Sequence, residues 1–84
     1  MTSLDERIIG IMSRTAMIPK SEFTPDRKLA LLGIGSLEQI ECVLSLEDEL
    51  EIELHERDLH RLQTVQDVLD AVRRAYEERE RART

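Results

Sequence analysis

Ser36 is the residue of this chain whose surroundings best suit covalent chemistry. It lies in the segment Leu32–Leu37 (LGIGSL), where a glycine-containing loop meets a strongly acidic stretch. A hydroxyl at the start of a helix is accessible to an enzyme, and a helix N-terminus stabilises an attached phosphate. Ser36 followed by Gln39 also fits an ordinary capping box. The two interpretations are compatible, because a modified serine can still begin a helix.

The same segment lacks the features of other active sites. The run Gly33-Ile34-Gly35 has no third glycine and no preceding strand, so it is not a dinucleotide-binding fingerprint. The nucleophile-elbow pattern Gly-x-Ser-x-Gly fails at Glu38, and no histidine lies near Ser36 in the sequence to act as a base. His55 and His60 are not spaced i, i+4 as two metal ligands on one helix face would be. We therefore predict neither a catalytic residue nor a metal site.

Length and cysteine content suggest a small protein of a reducing compartment. Eighty-four residues predict one domain, 1–84, with a small core. Cys42 is the only cysteine, so no internal disulfide can form, and we expect a cytoplasmic monomer. The sequence has neither an apolar run long enough to span a membrane nor the pattern of a signal peptide, so we expect no membrane association.

The net charge of −6 is unevenly distributed. Residues 36–58 contain nine acidic residues and one basic residue, a charge of −8, and the rest of the chain sums to +2. Such a block repels nucleic acid and attracts basic protein surfaces, although on charge alone an ordinary solvated face is the more common interpretation. Aromatic residues are limited to Phe23 and Tyr76, which argues against base stacking. We expect no nucleic-acid partner.

The hydrophobic periodicity is helical throughout. Ser3 and Glu6 form a capping-box pattern that predicts the start of the first helix. The second helix is expected from Ser36 to about Leu50, a helical turn over about 56–61, and a last helix from Thr64. The charged tail from about residue 77 is expected to fray.

A long connection, residues 17–35, separates the first two helices, and connections of this length are often functional. Its apolar residues are expected to anchor it to the core: Ile18, Phe23, Leu29, Leu31, Leu32 and Ile34.

The apolar arc of the second helix is about twice as wide as the roughly 100° that one-sided packing needs. Leu37 and Leu44 therefore fall beside Glu41 and Asp48 at the solvent edge. Apolar residues rimmed by charge are typical of a docking surface. The alternative is that the long loop covers Leu37 and Leu44, and the sequence leaves both possibilities open.

Three segments together resemble the acyl carrier proteins: LGIGSLEQIE at 32–41, LEDELEI at 46–52 and TVQDVL at 64–69. The resemblance extends from about Leu4 to Tyr76. It implies an all-α four-helix bundle with three longer helices, one short helix and a long loop between the first two. It also implies a protein without catalytic activity.

The resemblance further implies that a phosphopantetheinyl transferase attaches 4'-phosphopantetheine from coenzyme A to Ser36. The thiol of the arm then carries acyl or aminoacyl groups as thioesters between loading and transfer enzymes. The residues matching the family's docking positions are Leu37, Glu38, Glu41, Leu44, Glu47, Asp48, Leu54 and Glu56.

Gly35 is the clear departure from the family, whose motif is usually Asp-Ser-Leu. The aspartate normally adds negative charge beside the serine and assists recognition by the metal-dependent transferase. We interpret its loss as the mark of a specialised carrier, which favours secondary metabolism or another dedicated route and leaves fatty-acid synthesis open as an alternative. The alternative is an unmodified carrier-like adaptor that binds proteins through its acidic second helix.

Overall fold

A computed structural model describes residues 2–83 and shows a helical bundle. The four α-helices are α1 (Leu4–Ala16), α2 (Ser36–Leu50), α3 (Glu56–Leu59) and α4 (Val65–Arg83). Two 3-10 turns, Lys20–Glu22 and Leu29–Leu32, lie in the connection between α1 and α2. The predicted all-α fold, with three long helices, one short helix and a long first loop, is confirmed. Within residues 2–83, no helix has the length and hydrophobicity needed to cross a membrane.

Side-chain caps begin two of the helices, and the cap at Ser3 is the one predicted from the sequence. At α1, the Ser3 hydroxyl accepts the backbone N–H of Glu6 at 3.1 Å. At α4, the Thr64 hydroxyl accepts the N–H of Asp67 at 3.1 Å, and the Asp67 carboxylate accepts the N–H of Thr64 at 3.0 Å. The same carboxylate accepts the N–H of Gln63 at 2.9 Å. The hydrogen bond from Gln63 is the largest of the effects that lower the pKa of Asp67.

Two helix ends differ from the expected bounds. Helix α3 stops at Leu59, two residues early, and the Arg61 N–H then closes a turn onto the Asp58 carbonyl at 3.0 Å. Helix α4 continues to Arg83, and the Arg79 guanidinium pairs with Glu51 at 3.0 Å. The fraying that the sequence predicts from about residue 77 stays a prediction.

The core lies where α1, α2 and α4 converge. Its fully buried side chains come from all three helices and include Ile8, Leu46 and Val72. Ion pairs join the same helices at the surface, Asp5 with Arg73 and Arg14 with Glu49. These contacts hold α2 against its neighbours and fix the position of its N-terminus.

Backbone hydrogen bonds tie the long connection to the start of α4. The Leu29 N–H donates to the Gln63 carbonyl at 2.8 Å, and the Val65 N–H donates to the Arg27 carbonyl at 3.0 Å. An isolated antiparallel bridge between Lys28 and Thr64 lies between these two bonds. The last part of the loop is therefore held in place before it enters α2.

Most of the predicted loop anchors pack as expected, but Leu31 does not. Phe23, Leu29 and Ile34 are buried, and Ile18 and Leu32 are partly buried against the core. Leu31 is 74 % exposed, so its predicted anchoring role is wrong. The reason is the 3-10 turn, in which residues three apart lie on the same face. Leu29 and Leu32 share the inner face, and Leu31 points away from it.

Candidate functional site

The backbone before α2 reverses direction at Gly33 and then extends into the helix. Gly33 has a left-handed conformation (φ 84°), and its N–H donates to the Ala30 carbonyl at 3.2 Å. The next residue, Ile34, is buried, and its N–H donates to the Leu29 carbonyl at 3.0 Å. A left-handed residue followed by a buried anchor places Ser36 at a defined point on the surface.

The predicted capping box at Ser36 is wrong, because the N-cap of α2 is Gly35. Gly35 has extended dihedral angles, and its carbonyl accepts the first helical N–H, that of Gln39, at 2.9 Å. The Gln39 side chain instead donates to the Leu59 carbonyl at 3.4 Å. Glu38 makes the reverse half of a capping box, because its carboxylate accepts the Gly35 N–H at 2.9 Å. Glycine has no side chain with which to complete the box.

The Ser36 hydroxyl therefore takes no part in capping α2. The residue is exposed, and its Oγ has no hydrogen-bond partner among residues 2–83. It occupies the first position of α2, where backbone N–H groups lack helical partners and favour a negative charge. An exposed, unpartnered hydroxyl at this position fits a phosphate ester.

Ser36 lies at the edge of two surface grooves. The first, of about 460 Å³, runs between α2 and α3 and is lined largely by apolar side chains, including Ile40, Val43, Leu44 and Leu59. The second, of about 350 Å³, lies on the loop side and is lined in part by Lys28 and Gln63. An arm attached at Ser36 would have a strongly apolar groove on one side and a groove of mixed polar and apolar lining on the other.

The exposed face of α2 carries four of the eight predicted docking residues. Leu37 is 65 % exposed and Leu44 is 59 % exposed, so the long loop does not cover them. Ile40, on the same helix, is 57 % exposed. Glu41 and Asp48 are also exposed. Apolar and acidic side chains therefore occur together on the solvent side of α2.

The remaining predicted docking residues have other contacts. Leu54 is only 6 % exposed, so its side chain belongs to the core and not to the surface. Its backbone N–H donates to the Glu47 carboxylate at 3.0 Å. This hydrogen bond ties the Glu47 side chain to the segment after α2. Glu56 is exposed at the start of α3, with its carboxylate 4.0 Å from the His60 ring. The sequence alone could not show which of these residues would be buried, hydrogen-bonded or exposed.

Cys42 and His55 lie outside the grooves beside Ser36, whereas His60 lines the groove between α2 and α3. Cys42 is buried in the core, and burial raises the pKa of its thiol, so it stays protonated near neutral pH. The ring of His55 lies 3.3 Å from the Glu78 carboxylate, on α4. Neither group faces Ser36 in the grooves described above.

A comparison with protein families agrees with this geometry. The family model described as "Phosphopantetheine attachment site" matches residues 6–72, which include most of α1, all of α2 and α3, and the first part of α4. The matched segment contains Ser36 at the start of α2 and both grooves beside it. Proteins of this kind carry 4'-phosphopantetheine covalently and do not catalyse reactions themselves. The chain therefore belongs to the phosphopantetheine attachment site family, the family of the acyl carrier proteins.

Proposed function

We propose that Ser36 is the attachment residue and that the chain is a discrete carrier in a specialised biosynthetic pathway. It would hold acyl or aminoacyl intermediates as thioesters and present them to partner enzymes. The observation that carries the proposal is the free Ser36 hydroxyl at the N-terminus of α2, inside the matched segment.

Other serines suit this role less well. The Ser3 hydroxyl caps α1, and the Ser13 hydroxyl donates to the Ile18 carbonyl. Ser45 is half-buried in the last part of α2. Ser21 is exposed, but it lies in a three-residue 3-10 turn without a helix to stabilise a phosphate. Among the serines of residues 2–83, Ser36 alone combines exposure, the start of a long helix and a hydroxyl without a hydrogen-bond partner.

Attachment would form a bond between the Ser36 oxygen and the phosphorus nearest the pantetheine of coenzyme A. The phosphorus–oxygen bond of the diphosphate breaks, adenosine 3',5'-bisphosphate leaves, and the serine proton is released. The N-terminus of α2 would stabilise the resulting phosphodiester by about 0.3–1 kcal/mol. When bound, the group supplies a terminal thiol that holds cargo as a thioester.

The groove between α2 and α3 favours an apolar acyl group as the cargo. Ile40, Val43 and Leu44 offer aliphatic surface next to Ser36. Burying an apolar chain there gains about 25 cal/mol for each Å² removed from water. The ammonium group of an aminoacyl cargo would lose hydration in the same groove, which is unfavourable. An acyl chain is therefore the better fit.

The exposed face of α2 supports transient partners, a phosphopantetheinyl transferase and the enzymes that load and unload cargo. Glu41 and Asp48 would attract basic surfaces, and Leu37 would supply apolar contact. Small docking areas release quickly, which suits a shuttle. A monomer working in the cytoplasm fits a chain whose one cysteine, Cys42, is a buried free thiol.

The test is the intact mass of the protein after incubation with coenzyme A and a broad-specificity transferase. We expect the gain of one phosphopantetheine, abolished in Ser36→Ala. The matched control is Ser21→Ala, which removes another exposed serine and should gain the group as the original chain does. Modification that survives Ser36→Ala would contradict the assignment of Ser36.

A second function, that of an unmodified adaptor, is favoured by Gly35 and by the exposed α2 face, which could bind a partner without any arm. The same experiment separates the two functions. If the original chain gains no mass with any transferase tried, the adaptor is the better account.

A further inference from the structure

We propose that the groove on the loop side of Ser36, lined in part by Lys28 and Gln63 and called here the loop-side groove, is where the arm rests when it carries no cargo. The proposal rests on the proposed function of Ser36. It makes Lys28 a positioning residue, whose ammonium pairs with the phosphodiester, and it gives Gln63 a contact with the amides of the arm.

Backbone hydrogen bonds fix the rim of the loop-side groove. The Leu29 N–H donates to the Gln63 carbonyl at 2.8 Å, and Lys28 and Thr64 form an antiparallel bridge. These contacts join two segments that are far apart in the sequence, the long connection and the start of α4. The side chains of Lys28 and Gln63 therefore leave from fixed points beside the groove that also contains Ser36.

The polar groups of Lys28 and Gln63 are available to a ligand. Both residues are exposed, and neither the Lys28 ammonium nor the Gln63 side-chain amide has a hydrogen bond or ion pair among residues 2–83. Within the same residues, Lys28 is also the one charged side chain that lines the loop-side groove. A phosphodiester on Ser36 would therefore meet an unpaired positive charge on this side.

The groove between α2 and α3 suits the empty arm less well. Its lining includes the Glu47 carboxylate, which repels a phosphodiester, and aliphatic side chains that cannot replace the water lost by an amide. His60 lines this groove too, but its ring already lies 4.0 Å from the Glu56 carboxylate. Charge and desolvation both favour the loop-side groove for an arm that has no apolar cargo to bury.

The lining of the loop-side groove also matches the rest of the arm. Beyond the phosphodiester, the arm has a carbon with two methyl groups, a hydroxyl and two amides before it ends in the thiol. Leu29, Ile34 and Leu62 are buried residues that line the groove and offer apolar contact to the methyl groups. The Gln63 side-chain amide can donate to a carbonyl of the arm or accept one of its N–H groups.

Contacts of this kind hold the arm loosely. A pair between two exposed charges shifts an equilibrium by about two- to fivefold, and salt screens it. Such a weak contact suits a carrier, because the arm must leave the surface of the protein to enter a partner enzyme. Removing the Lys28 charge should accordingly change the ratio of resting to free arm without affecting the fold.

The test follows methyl and amide signals by NMR before and after the arm is attached, on protein whose modification at Ser36 has been established by mass. Attachment should shift the signals of Ile34, Leu62 and the Gln63 side chain. The signals of Val43 and Leu59, in the groove between α2 and α3, should shift less.

Lys28→Gln should lower the ratio of resting to free arm about two- to fivefold, and the shift changes in the loop-side groove should fall accordingly. Raising the salt concentration should reduce those changes in the original chain and have little effect in Lys28→Gln. Order parameters of the two amides, measured on an arm labelled with ¹⁵N, should fall in the variant as well.

Lys20→Gln is the matched control, because it removes an exposed lysine that lines a different groove, beside α1. It should leave the shift changes as they are in the original chain, and a thermal melt checks that each variant keeps its fold. The proposal is overturned if attachment shifts mainly the signals of Val43 and Leu59, or if Lys28→Gln leaves the loop-side changes at their original size. A chain that gains no group in the mass measurement contradicts the proposed function itself.

Discussion

The availability of the Ser36 hydroxyl depends on the residues around it. Gly33 turns the backbone in a conformation that L side chains rarely adopt, and Gly35 makes the first helical bond through its carbonyl. Glu38 then satisfies the Gly35 N–H. The Ser36 hydroxyl takes part in none of these contacts, so modifying Ser36 costs no structural hydrogen bond.

At this scale, two glycine-to-alanine changes should have opposite effects. Gly33→Ala places a side chain at φ 84° and should destabilise the fold by about 1–2 kcal/mol. Gly10→Ala, in the interior of α1, should stabilise it by about 0.5–1 kcal/mol. A Cβ at Gly10 would meet only the flexible Lys20 side chain, at an ordinary 3.8 Å.

The measurement is the free energy of unfolding of each variant by urea titration. Gly33→Ala should lower the midpoint and Gly10→Ala should raise it. A Gly33→Ala protein as stable as the original would contradict the left-handed turn before α2.

At the scale of elements, local patterns predict helices well where side chains do the capping. Ser3 with Glu6 and Thr64 with Asp67 both mark true helix starts. The same pattern failed at Ser36, because Ser36 is the first helical residue and the N-cap is Gly35, which has no capping side chain for sequence rules to detect.

Other features could not be predicted because they depend on how elements pack together. The burial of Leu54 and its hydrogen bond to Glu47 follow from the path of the chain after α2. The exposure of Leu31 follows from a 3-10 turn that periodicity does not reveal. The groove beside Ser36 exists only once α3 lies against α2.

The cap of α4 should make the stability of the fold depend on pH. The pKa of Asp67 is lowered in the folded protein, first by the Gln63 N–H, so the unfolded chain binds the proton more tightly. The stabilisation is complete above the ordinary pKa of 3.8 and is lost as the pH falls through the folded pKa. Asp67→Asn should therefore cost about 1 kcal/mol at pH 7 and less below pH 3.8.

Urea titrations at pH 7 and at acid pH measure this difference. Asp26→Asn, in the exposed loop, is the matched control and should change stability little at either pH. If the difference in free energy of unfolding between the original chain and Asp67→Asn does not become smaller at acid pH, the role of the Asp67 carboxylate in capping α4 is contradicted.

At the scale of the whole molecule, ion pairs engage arginines of several elements and leave acidic residues of α2 unpaired within residues 2–83. Several arginines form ion pairs between elements: Arg73 with Asp5, Arg74 with Asp58 and Arg79 with Glu51. On α2, Glu41 and Asp48 have no such partner within residues 2–83. The acidic field of the molecule is therefore concentrated on the face that presents Ser36.

Reversing that field should slow encounter with partners. Glu41→Lys/Asp48→Lys should lower the association rate with the transferase about tenfold at low salt and flatten its dependence on ionic strength. Glu53→Lys/Glu77→Lys changes the net charge equally at other exposed positions and should have a smaller effect. Stopped-flow association over a range of salt concentrations measures both, and equal effects of the two pairs would remove Glu41 and Asp48 from the docking surface.

The central claim, that this chain delivers cargo from Ser36, is tested most directly by the mass of the protein isolated from its native host, followed by fragmentation to locate the modified residue. We predict phosphopantetheine on Ser36, with an apolar acyl group on the thiol in the loaded fraction. A native protein that carries no group at all, or carries it on another residue, would contradict the account.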